Sequence, residues 1–198
     1  MNLANKLTIF RIILVPIMII VTFFDFKGQF LGIPIISLVL DFIFIIASIT
    51  DKLDGHIARS RNQITTFGKF LDPIADKILV ITAMIILVEM GKLPAWIPTI
   101  IVFREFIVSG YRLVAVENGG EVIAANMWGK VKTVTQMIAI ILAFIDNNAF
   151  GSIFYKTMTV YEMVINGLTT ILMITCVIST IFSGWTYIKN GKDLLKDK

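Results

Sequence analysis

Four aspartates within 26 residues carry the chemistry this sequence suggests. Asp51 and Asp54 are spaced i and i+3, and Asp72 and Asp76 are spaced i and i+4, so on helices each pair shares one face. Two such pairs facing each other gather four negative charges, an arrangement that needs cations between them. Hard oxygen donors select Mg²⁺, Mn²⁺ or Ca²⁺ over zinc. Four carboxylates suffice for two metal ions, a recurring solution for chemistry on phosphate esters. His56 sits among them and is read as facing water or headgroups rather than as a ligand. Gly55, Ala58 and Gly68 are small enough to let a ligand or a backbone approach, and Arg59 offers a planar fork suited to phosphate.

The elements that must position these groups are membrane helices. Of the 198 residues 57% are hydrophobic, and mean hydropathy is +0.85. Soluble domains hold about 45–50% apolar residues, so the excess points to an all-α polytopic membrane protein. A spanning helix takes about 20 largely apolar residues. Six such spans are expected, near residues 7–24, 33–50, 69–88, 94–116, 128–145 and 163–188, forming one domain over 1–198. Asn2 to Lys6 is expected as a short interfacial piece, and 146–161 as a polar loop. Asp72 before Pro73 reads as an N-cap followed by proline at the first helical position. Capping accounts for one aspartate and not for four.

Charge sets the expected orientation. With the N-terminus cytoplasmic, the outer loops hold only Lys27, Lys92 and Lys156 of 18 Lys and Arg, which places both termini in the cytoplasm. The net charge of +4 is then a membrane feature, and no nucleic-acid partner is expected. No cleavable leader is expected, because the first apolar run is followed by further spans. Cys176, the lone cysteine, reads as packing in an apolar run. Polar residues from several spans fall at one depth in this orientation: Asn5, Thr8 and Arg11, the four aspartates, Lys77, Arg112, Lys130 and Lys132, with Arg104 and Glu105 deeper. Charges inside spans face a bundle interior or a wet cavity, so a polar cavity at the cytoplasmic membrane boundary follows, built for an anionic headgroup.

The run Asp51-x-x-Asp54-Gly55-x-x-Ala58-Arg59, continued eight residues later by Gly68-x-x-x-Asp72-x-x-x-Asp76, resembles the signature of the CDP-alcohol phosphotransferases. These are integral membrane enzymes of phospholipid synthesis. The resemblance implies that a CDP-linked lipid, CDP-diacylglycerol, gives its phosphatidyl group to an alcohol and releases CMP, with Mg²⁺ or Mn²⁺, two ions, as cofactor. It implies Asp51, Asp54, Asp72 and Asp76 as metal ligands, and Asp76 also as the base taking the proton of the attacking hydroxyl. It implies a CDP-lipid site of Asp51, Asp54, Gly55, Ala58, Arg59, Gly68 and Asp72, with Thr8 of the first helix added, and a homodimer among membrane lipids.

The acceptor rests on a second basic cluster. Arg104 and Arg112, eight apart, point to one side of the fourth helix, and Lys130 and Lys132 follow on the fifth. A second anionic substrate accounts for all four. The runs Asn5 to Arg11, Arg104-Glu105 and Trp128 to Thr133 are similar to those of bacterial family members whose acceptor is sn-glycerol 3-phosphate. Plainer readings stand beside this one: positive-inside anchoring for Lys130 and Lys132, and for Arg104 a buried pair with a carboxylate such as Asp41. Asp41 itself lies mid-span and is read as a structural partner. Inositol phosphate suits the cluster equally well, serine or phosphatidylglycerol less so. A divalent-cation transporter is the alternative from another class, disfavoured because transport sites tend to lie at the midplane and a basic cluster repels a cation.

Overall fold

The computed structural model describes residues 3–24, 26–60, 66–117 and 127–190, and the side chains of 5–24, 26–50, 71, 73–111 and 127–189. Six helices follow one another: α1 (Leu3–Thr22), α2 (Ile35–Ser60), α3 (Thr66–Glu89), α4 (Trp96–Glu117), α5 (Met127–Ile145) and α6 (Val160–Asn190). Among the described residues three stretches, within Asn5–Thr22, Met127–Ile145 and Val160–Lys189, are long and apolar enough to cross a membrane.

The faces of these helices are arranged for lipid rather than water. On α6 the buried side carries Asn166, Thr169, Thr180 and Ser183, while Ile171, Ile178, Ile181 and Trp185 are exposed. Small and polar residues inside with large apolar ones outside is the pattern of helices packed in a bilayer, where lipid solvates the apolar face. On α1, Asn5, Thr8, Arg11, Val15 and Met18 are buried at helical spacing, while Ile13 and Ile20 face out.

Helix α1 packs against α2 and α3, α6 packs against α4 and α5, and contacts of α5 with α2 and α3 join the two groups. Their interface is a core of Leu40, Phe44, Leu79, Ala83, Ile140 and Phe144, among others. Alanines at 83, 139 and 143 let backbones come close there.

Three connections meet at one end of the bundle. Asn147 donates to the Gly32 carbonyl at 2.7 Å, and the Phe150 N–H donates to the Lys92 carbonyl at 2.9 Å. Lys92 Nζ donates to the Phe144 carbonyl at 2.6 Å and to Ser37 Oγ at 3.1 Å. Burial holds the Lys92 ammonium down to about 8, against the opposing pull of Asp146 and Asp41. Asp146 accepts from the Asn148 N–H at 2.9 Å and from Asn166 Nδ2 at 2.8 Å. The turn before α6 is fixed by a reciprocal cap: the Thr159 N–H donates to Glu162 Oε2 at 3.0 Å, and the Glu162 N–H to Thr159 Oγ1 at 3.4 Å.

Several expectations change in detail. Residues 3–6 belong to the continuous helix α1 rather than to a separate interfacial piece. Helix α3 begins at Thr66, so Pro73 lies inside it and Asp72 is no N-cap. A proline there removes one backbone hydrogen bond of the first turns, and the helix carries on through it. Helix α2 runs through the aspartate motif to Ser60. A small antiparallel ribbon, Gln29–Phe30 with Ile33–Pro34, interrupts the all-helical picture. Its turn residues Leu31 and Gly32 both have positive φ (51° and 80°), the geometry of a tight hairpin that the apolar pattern conceals.

Candidate active site

Because the loops after α1, α3 and α5 meet at one end, the opposite end gathers the start of α1, the end of α2, the starts of α3 and α5, and the ends of α4 and α6. Asp51 and Asp54 lie on the last turns of α2, and Asp72 and Asp76 one turn apart on the first half of α3. These two helices are in contact. The side chains of Asp51, Asp54, Gly55, Ala58, Arg59, Gly68, Asp72 and Arg112 lie outside the described ones. Thr8 and Arg11 are buried on α1, at the same end and on the face toward α2 and α3.

Asp76 is the motif aspartate whose surroundings are on view. It lines a cavity of about 110 Å³ together with Lys77, Arg104, Glu105, Lys132, Thr133 and Gln136. Three helices supply the charges, α3, α4 and α5. Glu105 is the hub. Its Oε1 accepts from Arg104 Nη1 and from Lys132 Nζ, each at 2.8 Å, and its Oε2 lies 3.7 Å from Lys77 Nζ. Arg104 Nη2 donates to Ser183 Oγ of α6 at 2.5 Å, and its guanidinium lies 5.9 Å from the centre of the Tyr187 ring. Lys77 is hydrogen-bonded to Ser109 Oγ, and Ser109 Oγ donates to the Glu105 carbonyl at 2.7 Å.

Charge-assisted bonds of this length are strong, and in a site of low dielectric they hold each side chain in one rotamer. The cavity wall carries three cations against two carboxylates, so it retains a positive balance when Glu105 is satisfied. Arg104 Nε–H finds no acceptor among the described residues. Gly184 of α6 lies against Arg104 of α4: a Cβ there would meet Arg104 Cγ at 3.4 Å, an ordinary contact.

The two plain readings of the basic residues separate here. Lys132 is 7% exposed and turned into the cavity, whereas Lys130 two positions earlier is exposed. Residues two apart on a helix point about 200° apart, so one of the pair had to face away. Arg104 does pair with a carboxylate, but that carboxylate is Glu105 and not Asp41. Asp41 is buried near the other end of α2, within the field of Lys92. Ten residues of helix, about 15 Å, separate it from Asp51.

The sequence model of the CDP-alcohol phosphatidyltransferase family matches residues 1–183. The chain belongs to this family. Its curated relatives include the CDP-diacylglycerol–glycerol-3-phosphate 3-phosphatidyltransferase of Bacillus subtilis, 42% identical over 98% of this chain and 97% of the relative. The enzyme of the same name from Haemophilus influenzae is 42% identical over 70% of this chain and 73% of its own. A probable phosphatidylglycerophosphate synthase of Mycobacterium tuberculosis is 40% identical over 70% of this chain and 64% of its own.

In this CDP-alcohol phosphatidyltransferase the donor set of the motif is all carboxylate oxygen, from two touching helices, which fits a hard divalent cation. Lys77 and Glu105 were expected among the polar residues of the cavity but were given no role there, and Ser109, Ser183 and Tyr187 were not foreseen at all. A carboxylate in an apolar span was the available signal for Glu105. Ser183 and Tyr187 gave none, because a single serine or tyrosine in a membrane helix is ordinary.

Proposed function

We propose that this protein transfers the phosphatidyl group of CDP-diacylglycerol to sn-glycerol 3-phosphate, giving phosphatidylglycerophosphate and CMP. The observation that carries the reading is a cationic cavity with Asp76 on its wall, in a chain 42% identical over nearly its whole length to an enzyme of that name. Asp51, Asp54, Gly55, Ala58, Arg59, Gly68, Asp72 and Thr8 hold the CDP-lipid, and Arg104, Lys132, Arg112 and Lys130 attract the acceptor. Of these, Arg104 and Lys132 line the cavity, which supports them most directly. The six helices are read as six spans with both termini and the active site on the cytoplasmic side, in a bacterial plasma membrane and as a homodimer.

In the reaction the acceptor hydroxyl oxygen attacks the phosphorus that carries the diacylglycerol, and the bond from that phosphorus to the CMP oxygen breaks. Asp51, Asp54, Asp72 and Asp76 would hold two Mg²⁺ or Mn²⁺ ions, which when bound neutralise charge on the pyrophosphate and on departing CMP. Asp76 accepts the proton of the attacking hydroxyl. Arg104 and Lys132, fixed by Glu105, receive the acceptor phosphate, and a rigid cation pair orients the hydroxyl toward Asp76 without ordering cost at the moment of reaction. Serine lacks a phosphate and leaves this pair without its counter-charge. Glu105 keeps the cations in place and lowers the charge they present in the empty site.

Release of CMP by purified protein with CDP-diacylglycerol and Mg²⁺, each alcohol supplied in turn, tests the reading. Release with glycerol 3-phosphate alone is expected. Release with serine or inositol phosphate instead overturns the acceptor assignment, and no release with any alcohol overturns the reaction.

A further inference from the structure

Helix α1 carries two basic residues and no acid. Lys6 is exposed, whereas Arg11 is 0% exposed, on the face that also buries Asn5, Thr8 and Leu14. A guanidinium cannot shed its proton, so burial this complete demands a counter-charge. Arg11 is not among the described residues lining the Asp76 cavity, and α1 packs on α2 and α3, so the counter-charge comes from those two helices. We infer that Arg11 is the fixed counter-charge of the aspartate motif, balancing the carboxylates of α2 and α3 while no metal is bound and opposing the metal when it binds. The inference rests on the metal-ligand reading of the four aspartates given above.

The register of the helices selects the motif over the other acids. Helix α1 ends, α2 begins and α3 ends where the connections meet. Arg11 stands eleven residues before Thr22, about 16 Å along α1 from that end. Its long side chain leans back toward the helix start, which carries the guanidinium further still. Asp76, thirteen residues before Glu89, lies about 20 Å along α3, and Asp51, sixteen after Ile35, about 24 Å along α2. Asp72 is one turn beyond Asp76. The remaining acids of these two helices fall elsewhere. Glu89 closes α3 at the far end, and Asp41 lies about 9 Å along α2, in the field of Lys92.

Four carboxylates on two touching helices repel one another, and the fold must hold them together before any metal arrives. One guanidinium built into α1 relieves part of that repulsion, and its planar fork suits carboxylate oxygens from both neighbours. The same positive charge raises the energy of a divalent cation placed beside it. Arg11 is therefore a positioning residue. It acts through the aspartates, and its full burial keeps it from the acceptor cavity.

Arg11→Met and Arg11→Lys are compared with the parent protein in detergent by thermal unfolding, in EDTA and in saturating Mn²⁺. Mn²⁺ affinity is read separately from the electron paramagnetic resonance of the free ion. In EDTA, Arg11→Met is expected to melt roughly 10 °C below the parent, as follows from removing one partner of a buried charge cluster. Saturating Mn²⁺ should close most of that gap. Mn²⁺ should also bind Arg11→Met about fivefold or more tightly than the parent, because a fixed positive charge has gone. Arg11→Lys keeps the charge and should follow the parent in both measurements. A melting gap equal in EDTA and Mn²⁺, or Mn²⁺ affinity unchanged or weakened in Arg11→Met, overturns the counter-charge and leaves Arg11 a packing residue. Should Arg11→Met fail to purify, Arg11→Met/Asp51→Asn, with one opposing carboxylate neutralised, is expected to fold, and its failure overturns the inference as well. Parent protein that binds no Mn²⁺ overturns the metal-ligand reading itself, so the two failures are distinguishable.

Discussion

Lys132 Nζ donates to Glu105 Oε1 over 2.8 Å, tying α5 to α4 across the cavity that Asp76 lines. The same oxygen takes a second bond from Arg104, so one carboxylate positions two cations supplied by different helices.

Glu105→Gln leaves Lys77, Arg104 and Lys132 without the carboxylate that bridges them, with Asp76 the remaining acid on the cavity wall. Removing one member of a buried charge cluster costs roughly 3–5 kcal/mol when nothing compensates. The variant is expected to melt well below the parent in detergent and to recover part of the loss with added phosphate, which refills the charge. Thermal unfolding with and without phosphate reads both effects.

Lys132→Met and Lys130→Met are expected to diverge. A hydrogen bond to a charged group contributes about 1.5–3 kcal/mol, so Lys132→Met should raise the KM for glycerol 3-phosphate by roughly ten- to a hundredfold. Lys130 is exposed, and its loss should change that KM by less than about threefold, as expected of a surface charge. Steady-state kinetics with varied acceptor separates them, and equal effects would remove the distinction drawn from burial.

Asp76→Asn keeps the shape of the side chain and removes its basicity. The expected result is a loss of about 10²–10⁴ in kcat with the protein still folded, the usual range for a positioned base. Retention of most of the turnover would take the proton-accepting role from Asp76.

Gly184→Ala should be well tolerated, because a Cβ there meets only Arg104 Cγ, at 3.4 Å, and alanine favours the helix by up to about 1 kcal/mol. Gly184→Leu should push Arg104 off Ser183 and raise the acceptor KM while leaving that for the CDP-lipid alone. A matched rise in both would mean general disruption of the bundle.

At the opposite end, burial lowers Lys92 from 10.5 to about 8. The folded protein therefore binds fewer protons than the unfolded chain between those values. This contribution to stability is present above about 10.5 and is lost as pH falls through about 8. Lys92→Met should flatten the rise in melting temperature that the parent shows over this alkaline window. Identical slopes in the two proteins would refute the assignment.

Much of this protein was legible in its sequence because the relevant physics is local. Asp51, Asp54, Asp72 and Asp76 stand at helical spacings that put each pair on one face whatever surrounds them, and the motif around them carries the family. Hydropathy located the helices because lipid demands long apolar runs. Helix starts were less legible, as at Thr66, since the polar first turns of α3 have no apolar period to mark them.

What only the tertiary structure decided is which charges meet. Arg104 reaches Glu105 beside it, Lys132 on the next helix and Ser183 seventy-nine residues on, while Lys130 turns away and Asp41 belongs to the other end. Residue type shows that a buried cation needs a partner. The identity of that partner depends on how α3, α4, α5 and α6 rotate and approach, over distances no sequence window spans.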